Sequence, residues 1–229
     1  MKRIVLCLLV VVFVSSLEAK SRVYLYGDGS MGVEDSVMIG WGDGLNAYLS
    51  KGIMLQNEAK EGLSLKAFLE SDGEKKLSEL PAKSIVFFQC GANDLNDGNP
   101  EQYSTLDSFV RQYQTLIKVA LDNRLQVVLC TPLAQPYYRE GVLIDRLGGY
   151  DDAVRRLAKY YYLPLLDMEM LTRSWWASMS EADVATYAAV SLSDDAFLLT
   201  ETGAQEVAKM AAEAIKLIKH GKVGKIIKK

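Results

Sequence analysis

Ser84-Ile85-Val86-Phe87-Phe88-Gln89-Cys90, followed at once by Gly91-Ala92-Asn93-Asp94, is the stretch that decides the fold. Its apolar side chains do not alternate with polar ones but run on, a pattern of strands covered on both faces. Gly91 and the Asn-Asp pair close it with turn-forming residues. Runs of the same kind stand on either side: Val23 to Tyr26, Ile53 to Gln56, Gln126 to Cys130 and Leu163 to Asp167. Helical spacing fills the intervals. The clearest case, Thr105 to Asn123, brings Leu106, Phe109, Val110, Tyr113, Leu116, Ile117, Ala120 and Leu121 round at three- and four-residue steps, with Ser104 and Asp107 as its expected start cap. Further helices are predicted at Gly44 to Leu49, Leu65 to Leu80, Asp151 to Tyr162 and Glu201 to Lys219. Five such strands separated by helices make a parallel sheet with a helical layer on each side, a three-layer α/β/α sandwich of the α/β class.

The chain has 229 residues, 49% of them apolar, enough for one sizeable core in a single domain, read here as 20–218. The last eleven residues, 219–229, form a basic tail expected to be loose. Twenty-six basic against 29 acidic residues leave a net charge of -3, which gives no general attraction for nucleic acid. Lys2 and Arg3 ahead of an apolar run from Ile4 to Val14 read as a signal peptide, residues 1–19, with cleavage after Ala19 and an extracytoplasmic mature protein. Eleven apolar residues are short for a membrane span, so no transmembrane span is expected in the mature chain. Cys7 leaves with that leader. Cys90 and Cys130 end apolar runs and are expected as buried free thiols. With a single histidine, His220, and two separated cysteines the sequence offers no zinc site, so no metal and no cofactor are expected.

In a parallel sheet a site forms beyond the carboxyl ends of the strands. Those positions hold Gly27, Asp28, Gly29, Ser30 and Met31; then Asn57, Ala59 and Gly62; then Gly91, Ala92, Asn93 and Asp94; then Thr131 and Pro132. Asp194 to Thr200 precede the last helix. Singly these are turn residues. Their order, with Gly40-Trp41-Gly42 and Leu199-Thr200-Glu201, resembles the SGNH hydrolases, also called GDSL esterases, in the rhamnogalacturonan acetylesterase-like branch. The resemblance covers nearly all of the mature chain and implies a flavodoxin-like sandwich and acyl-transfer chemistry. Such a site uses a serine directly after Gly-Asp as nucleophile, a glycine and an asparagine as oxyanion donors, and an Asp-x-x-His pair as base. Laid on this sequence, it implies Gly62 and Asn93 as the oxyanion donors and Asp195 as the acidic member. At the nucleophile position stands Gly29, with Ser30 one place later; at the base position stands Leu198.

Glycine cannot attack and leucine cannot accept a proton. Loss of one triad member commonly costs on the order of a million-fold in turnover. The resemblance therefore implies a degenerate carbohydrate acetylesterase that holds a glycan, acetylated or acidic, without cutting it. The alternatives are an active O-acetylesterase using the displaced Ser30 with Asp194 or Asp195 as base, and an extracytoplasmic partner-binding or assembly protein. His220 is expected far from Thr200, so an imidazole would have to come from a second chain. Read structurally, Ser30 is a helix N-cap. The segment Thr131 to Gly149 is expected to border the cleft as a long loop, with Asp28, Ser30, Tyr137, Tyr138 and Arg139 as further binding candidates. Trp175 and Trp176 either stack on sugar or pack the core, and Tyr160 to Tyr162 are expected to leave some ring exposed.

Overall fold

A computed structural model describes residues 21–32, 39–191 and 196–228. The segment expected to be a leader, residues 1–19, and both Asp194 and Asp195 lie outside the described residues. In chain order the strands are β1 (Arg22–Gly27), β2 (Met54–Asn57), β3 (Ile85–Gln89), β4 (Gln126–Cys130), β5 (Tyr138–Arg139), β6 (Val142–Leu143), β7 (Leu165–Leu166), β8 (Ala188–Ser191) and β9 (Ala196–Leu199). The α-helices are α1 (Trp41–Gly44), α2 (Leu65–Glu70), α3 (Gly73–Glu79), α4 (Leu106–Asp122), α5 (Tyr150–Tyr160), α6 (Met168–Trp176), α7 (Glu181–Val184) and α8 (Glu201–Leu217).

The main sheet is parallel, in the order β2-β1-β3-β4-β7. β3 occupies its centre, and all five of its residues are buried. Because strand side chains alternate in direction, one apolar run feeds two cores. Ile85 and Phe87 join Val23, Leu25, Val128 and Cys130 under α8 and α1, whereas Val86 and Phe88 join Tyr24, Tyr26, Val127 and Leu129 under α2, α3, α4 and α5. Cys90 and Cys130 are buried free thiols, as expected.

The helices carry the matching stripes. On α4 the buried set is Phe109, Tyr113, Leu116, Ile117 and Ala120. Its N-cap is Thr105, whose hydroxyl accepts from Ser108 N, while Ser104, the expected cap, hydrogen-bonds Gln112 instead. The α8 stripe is small, with Ala204, Ala208, Ala211 and Ala212 beside Val207 and Ile215. That allows close approach: a Cβ on Gly203 would stand 1.9 Å from Tyr187 O.

Three regions differ from the sequence reading. The helix predicted over Leu65 to Leu80 is broken into α2 and α3, because Asp72 adopts a left-handed conformation and Gly73 lies against Phe68. The short helix expected at Gly44 begins earlier, at Trp41, and continues as a 3-10 turn over Leu45–Tyr48. The C-terminal residues are not loose. A 3-10 turn, Val223–Ile226, buries Val223, Ile226 and Ile227, Ile227 bridges Leu49, and Lys228 N donates to Tyr48 O. Its charged residues face water, but every third or fourth position is apolar, and that pattern fixes it to the body.

Among the described residues no helix is long and apolar enough to cross a membrane.

Candidate functional site

The turn after β1 is built around Asp28. Its carbonyl accepts from Met31 N and Gly32 N, and its Oδ1 accepts from Ser30 N (2.9 Å), Ser30 Oγ (2.6 Å) and Gln89 Nε2 (3.1 Å). Gln89, at the end of β3, also donates to Ser30 Oγ (2.8 Å), and its Oε1 accepts from Trp41 Nε1 (3.0 Å). The turn and the start of α1 are thereby tied to the central strand. Gly40 is needed because a Cβ there would lie 2.1 Å from the Met31 carbonyl carbon. Ser30 is therefore no helix cap. Its hydroxyl donates to Asp28 and accepts from Gln89, and the residue is 6% exposed.

The chain after β2 runs beside the end of β1, with Glu58 N donating to Leu25 O and Lys60 N to Gly27 O. This places Glu61 and Gly62 next to Gly29. Gly62 has φ +71°, and its carbonyl accepts from Gln102 Nε2 at 2.7 Å. From the loop after β3, Asn93 Nδ2 donates to Leu63 O (3.0 Å), leaving the second N–H of that amide for a ligand. Asp94 is fully buried behind it, and its Oδ1 accepts from Leu65 N (2.8 Å). Burial pushes its carboxyl up to about 7, against the backbone hydrogen bonds it receives and with help from the Asp28 charge. Burial raises Asp28 as well, opposed by its bonds from Ser30 and Gln89.

The loop after β4 is anchored from below. Glu169 N donates to Thr131 Oγ1 and Thr131 Oγ1 donates to Asp167; Ala134 N donates to Thr172 Oγ1 and Trp176 Nε1 to Ala134 O. Arg155 holds Asp151, Asp152, Asp167 and Glu169 around this anchor. Burial would raise Asp167, but the Arg155 guanidinium and the other donors keep it below the usual carboxylate range.

These loops enclose a cavity of about 220 Å³ at the carboxyl ends of the strands. Asp28, Gly29, Ser30, Gly62, Asn93 and Leu198 all line it, although they come from four separate segments. The direction of the Gly29 α-hydrogen is informative: a Cβ built there would stand 3.4 Å from Leu198 Cδ2 and 3.3 Å from Glu61 Cα. Gly29 and Leu198, expected at the nucleophile and base positions, are thus adjacent, with a leucine methyl beside the glycine. His220 is exposed beyond the far end of α8, a helix of 17 residues and so about 25 Å long.

Tyr137, Tyr138 and Arg139 do not line the cavity. Tyr137 is buried with the Arg146 guanidinium 4.3 Å from its ring centre, Tyr138 OH donates to Trp176 O, and Arg139 is exposed on the small β5–β6 hairpin. The same loop contributes Leu133, Gln135 and Arg146 to the wall instead, and Gln102, Glu61 and Phe197 also line it. Sequence periodicity carries no signal for which loop residues turn inward; the loop itself was recognisable by its length. Trp176 is fully buried, Trp175 stacks on it, and Tyr160 and Tyr162 are exposed.

The fold is similar to that of solved GDSL-like and acetylxylan esterase structures. The curated relatives are rhamnogalacturonan acetylesterases. The chain is 28% identical over 204 residues to the probable rhamnogalacturonan acetylesterase YesY of Bacillus subtilis, covering 86% of this chain and 93% of that protein. It is 26% identical over 209 residues to the rhamnogalacturonan acetylesterase RhgT of the same organism, covering 85% and 89%. Among solved structures, the YXIM protein of Bacillus subtilis superposes with a TM-score of 0.73 at 20% identity, over 86% of this chain and 56% of that one. The acetylxylan esterase Axe2 of Geobacillus stearothermophilus superposes with a TM-score of 0.64 at 15% identity, over 86% and 94%. No family model matches the sequence.

Proposed function

We propose that this chain is a catalytically silent carbohydrate-acetylesterase relative that holds an acetylated glycan in the cavity outside the cytoplasm. The observation that carries the reading is the adjacency of Gly29 and Leu198: a Cβ at position 29 would stand 3.4 Å from a Leu198 methyl, so neither a hydroxyl nor an imidazole stands at this pair. Gly62 N and the free N–H of Asn93 remain as donors for a carbonyl oxygen, and Leu198, Phe197 and Leu133 supply an apolar wall for its methyl group. The relatives' names point to an acetylated pectic saccharide as the ligand. The leader Lys2 to Ala19 supports the extracytoplasmic location.

One observation favours a second reading, an esterase working through Ser30. Its Oγ lies 2.6 Å from Asp28 Oδ1, and a carboxylate raised by burial is a stronger proton acceptor than an ordinary one. Against it, the hydroxyl already serves two buried partners. The two readings separate on one pair of measurements: hydrolysis of p-nitrophenyl acetate and of acetylated rhamnogalacturonan oligosaccharide by the wild type and Ser30→Ala, and calorimetric binding of the oligosaccharide. Silent binding predicts no turnover above background in either protein and saturable binding that weakens in Asn93→Ala. Turnover that disappears in Ser30→Ala would establish the second reading.

A further inference from the structure

We infer that the end of the sheet opposite the cavity is a docking face for an anionic lipid surface. Hydrogen bonds of the backbone and of the Gln126 side chain gather the segments there. Met54 N donates to Ser21 O, Ser50 N to Ile226 O, Lys222 N to Gln126 Oε1, Gln126 Nε2 to Lys83 O, and Lys83 N to Arg124 O. The gathered segments, 21–22, 50–54, 81–85, 123–126 and 218–228, hold Arg22, Lys51, Lys83, Arg124, Lys219, Lys222, Lys225 and Lys228, all exposed, and not one Asp or Glu. Eight of the chain's 26 basic residues thus share one end of a protein whose net charge is negative. Among the described residues none of the eight enters an ion pair; Lys228 Nζ is used on Ala47 O. Next to these segments, Asp122 is paired with Lys118, Glu79 closes α3 and Glu213 lies near the end of α8.

One feature favours a bilayer over a soluble polyanion. The end of α5 and the turn that leads from it into β7 lie at the same end of the sheet and carry Tyr160 and Tyr162, 73% and 88% exposed, the ring type that settles at headgroup level. Cations and aromatic rings then address one surface, and the cavity opens at the opposite end of the sheet. A polybasic face of this size falls within the range that holds proteins on anionic leaflets.

The test is co-sedimentation of the full chain with vesicles of phosphatidylcholine alone and of phosphatidylcholine with phosphatidylglycerol. Each cation near an anionic surface raises partition about five-fold. The wild type should therefore partition at least ten-fold more onto the mixed vesicles than onto the neutral ones, and the ratio should fall toward one at high salt. Lys219→Glu with Lys222→Glu and Lys225→Glu should lower that ratio by roughly a hundred-fold. Arg111→Glu with Arg139→Glu and Lys209→Glu, an equal change in net charge elsewhere, should leave most of it. Tyr160→Ser with Tyr162→Ser, which removes no charge, should reduce partition several-fold. Circular dichroism confirms that each variant is folded. Equal partition onto both vesicle types, equal loss in both charge-reversal variants, or retention by immobilised polygalacturonate without binding to anionic vesicles would overturn the assignment.

Discussion

On the proposed reading, combining Gly29→Ser with Leu198→His is the sharpest perturbation the cavity allows. Gly29→Ser places a Cβ whose nearest neighbours would be Glu61 Cα at 3.3 Å, Leu198 Cδ2 at 3.4 Å and Glu61 Cβ at 3.5 Å. Those contacts are tight but not prohibitive, and the Gly29 backbone is outside the left-handed region, so the substitution should cost less than about 1 kcal/mol. Leu198→His then sets an imidazole against the new hydroxyl, in the space where the leucine methyl now stands. A positioned base contributes about 10²- to 10⁴-fold, and nucleophile and base act as a unit. The expected result is p-nitrophenyl acetate hydrolysis at least on the order of a hundred-fold above either single variant, each of which stays at the wild-type level. Stopped assays with pure protein and a thermal melt for each variant provide the comparison. A folded double variant whose rate equals the wild type's would refute the placement of Gly29 and Leu198 at the nucleophile and base positions.

Gly62→Ala should destabilise the protein by about 1–3 kcal/mol in thermal denaturation, because φ is +71° and the new Cβ would lie 2.8 Å from Gln102 Nε2. Gln89→Leu strips partners from Trp41 Nε1, Ser30 Oγ and Asp28 Oδ1 together, and a loss of roughly 2–4 kcal/mol is expected in urea unfolding. Stability should also fall as pH rises from about 4 to 7: the folded Asp94 carboxyl, raised to about 7, keeps a proton that the unfolded chain has lost above its ordinary value of 3.8. Asp94→Asn keeps the acceptor for Leu65 N and should flatten that slope by roughly 2–4 kcal/mol across the window, read from urea midpoints.

The strands of the main sheet were legible because burial on both faces leaves a mark in composition itself. β4 coincides with the apolar run Gln126 to Cys130, and β3 loses only the end residues Ser84 and Cys90. β7 shrinks to two paired residues, since pairing depends on β4, which no local pattern records. In the cavity, Gly62 and Asn93 were legible through the order of the blocks that follow the strands and the resemblance that order carries. Gln102, Gln135 and Arg146 were not, because a polar side chain on a loop looks alike whether it turns inward or out. Gln89 shows the same limit from the other side. It sits in an apolar run as if incidental, yet it joins Trp41, Asp28 and Ser30 across 48 to 61 residues of sequence.

The turn over Val223–Ile226 also bears on how the chain is assembled. Trp41 to Tyr48 are made long before α8 and Val223 to Ile227, the surfaces that bury them. A nascent chain must therefore carry Trp41, Leu45 and Leu49 uncovered until those segments have emerged, and this long-range seam closes late in folding.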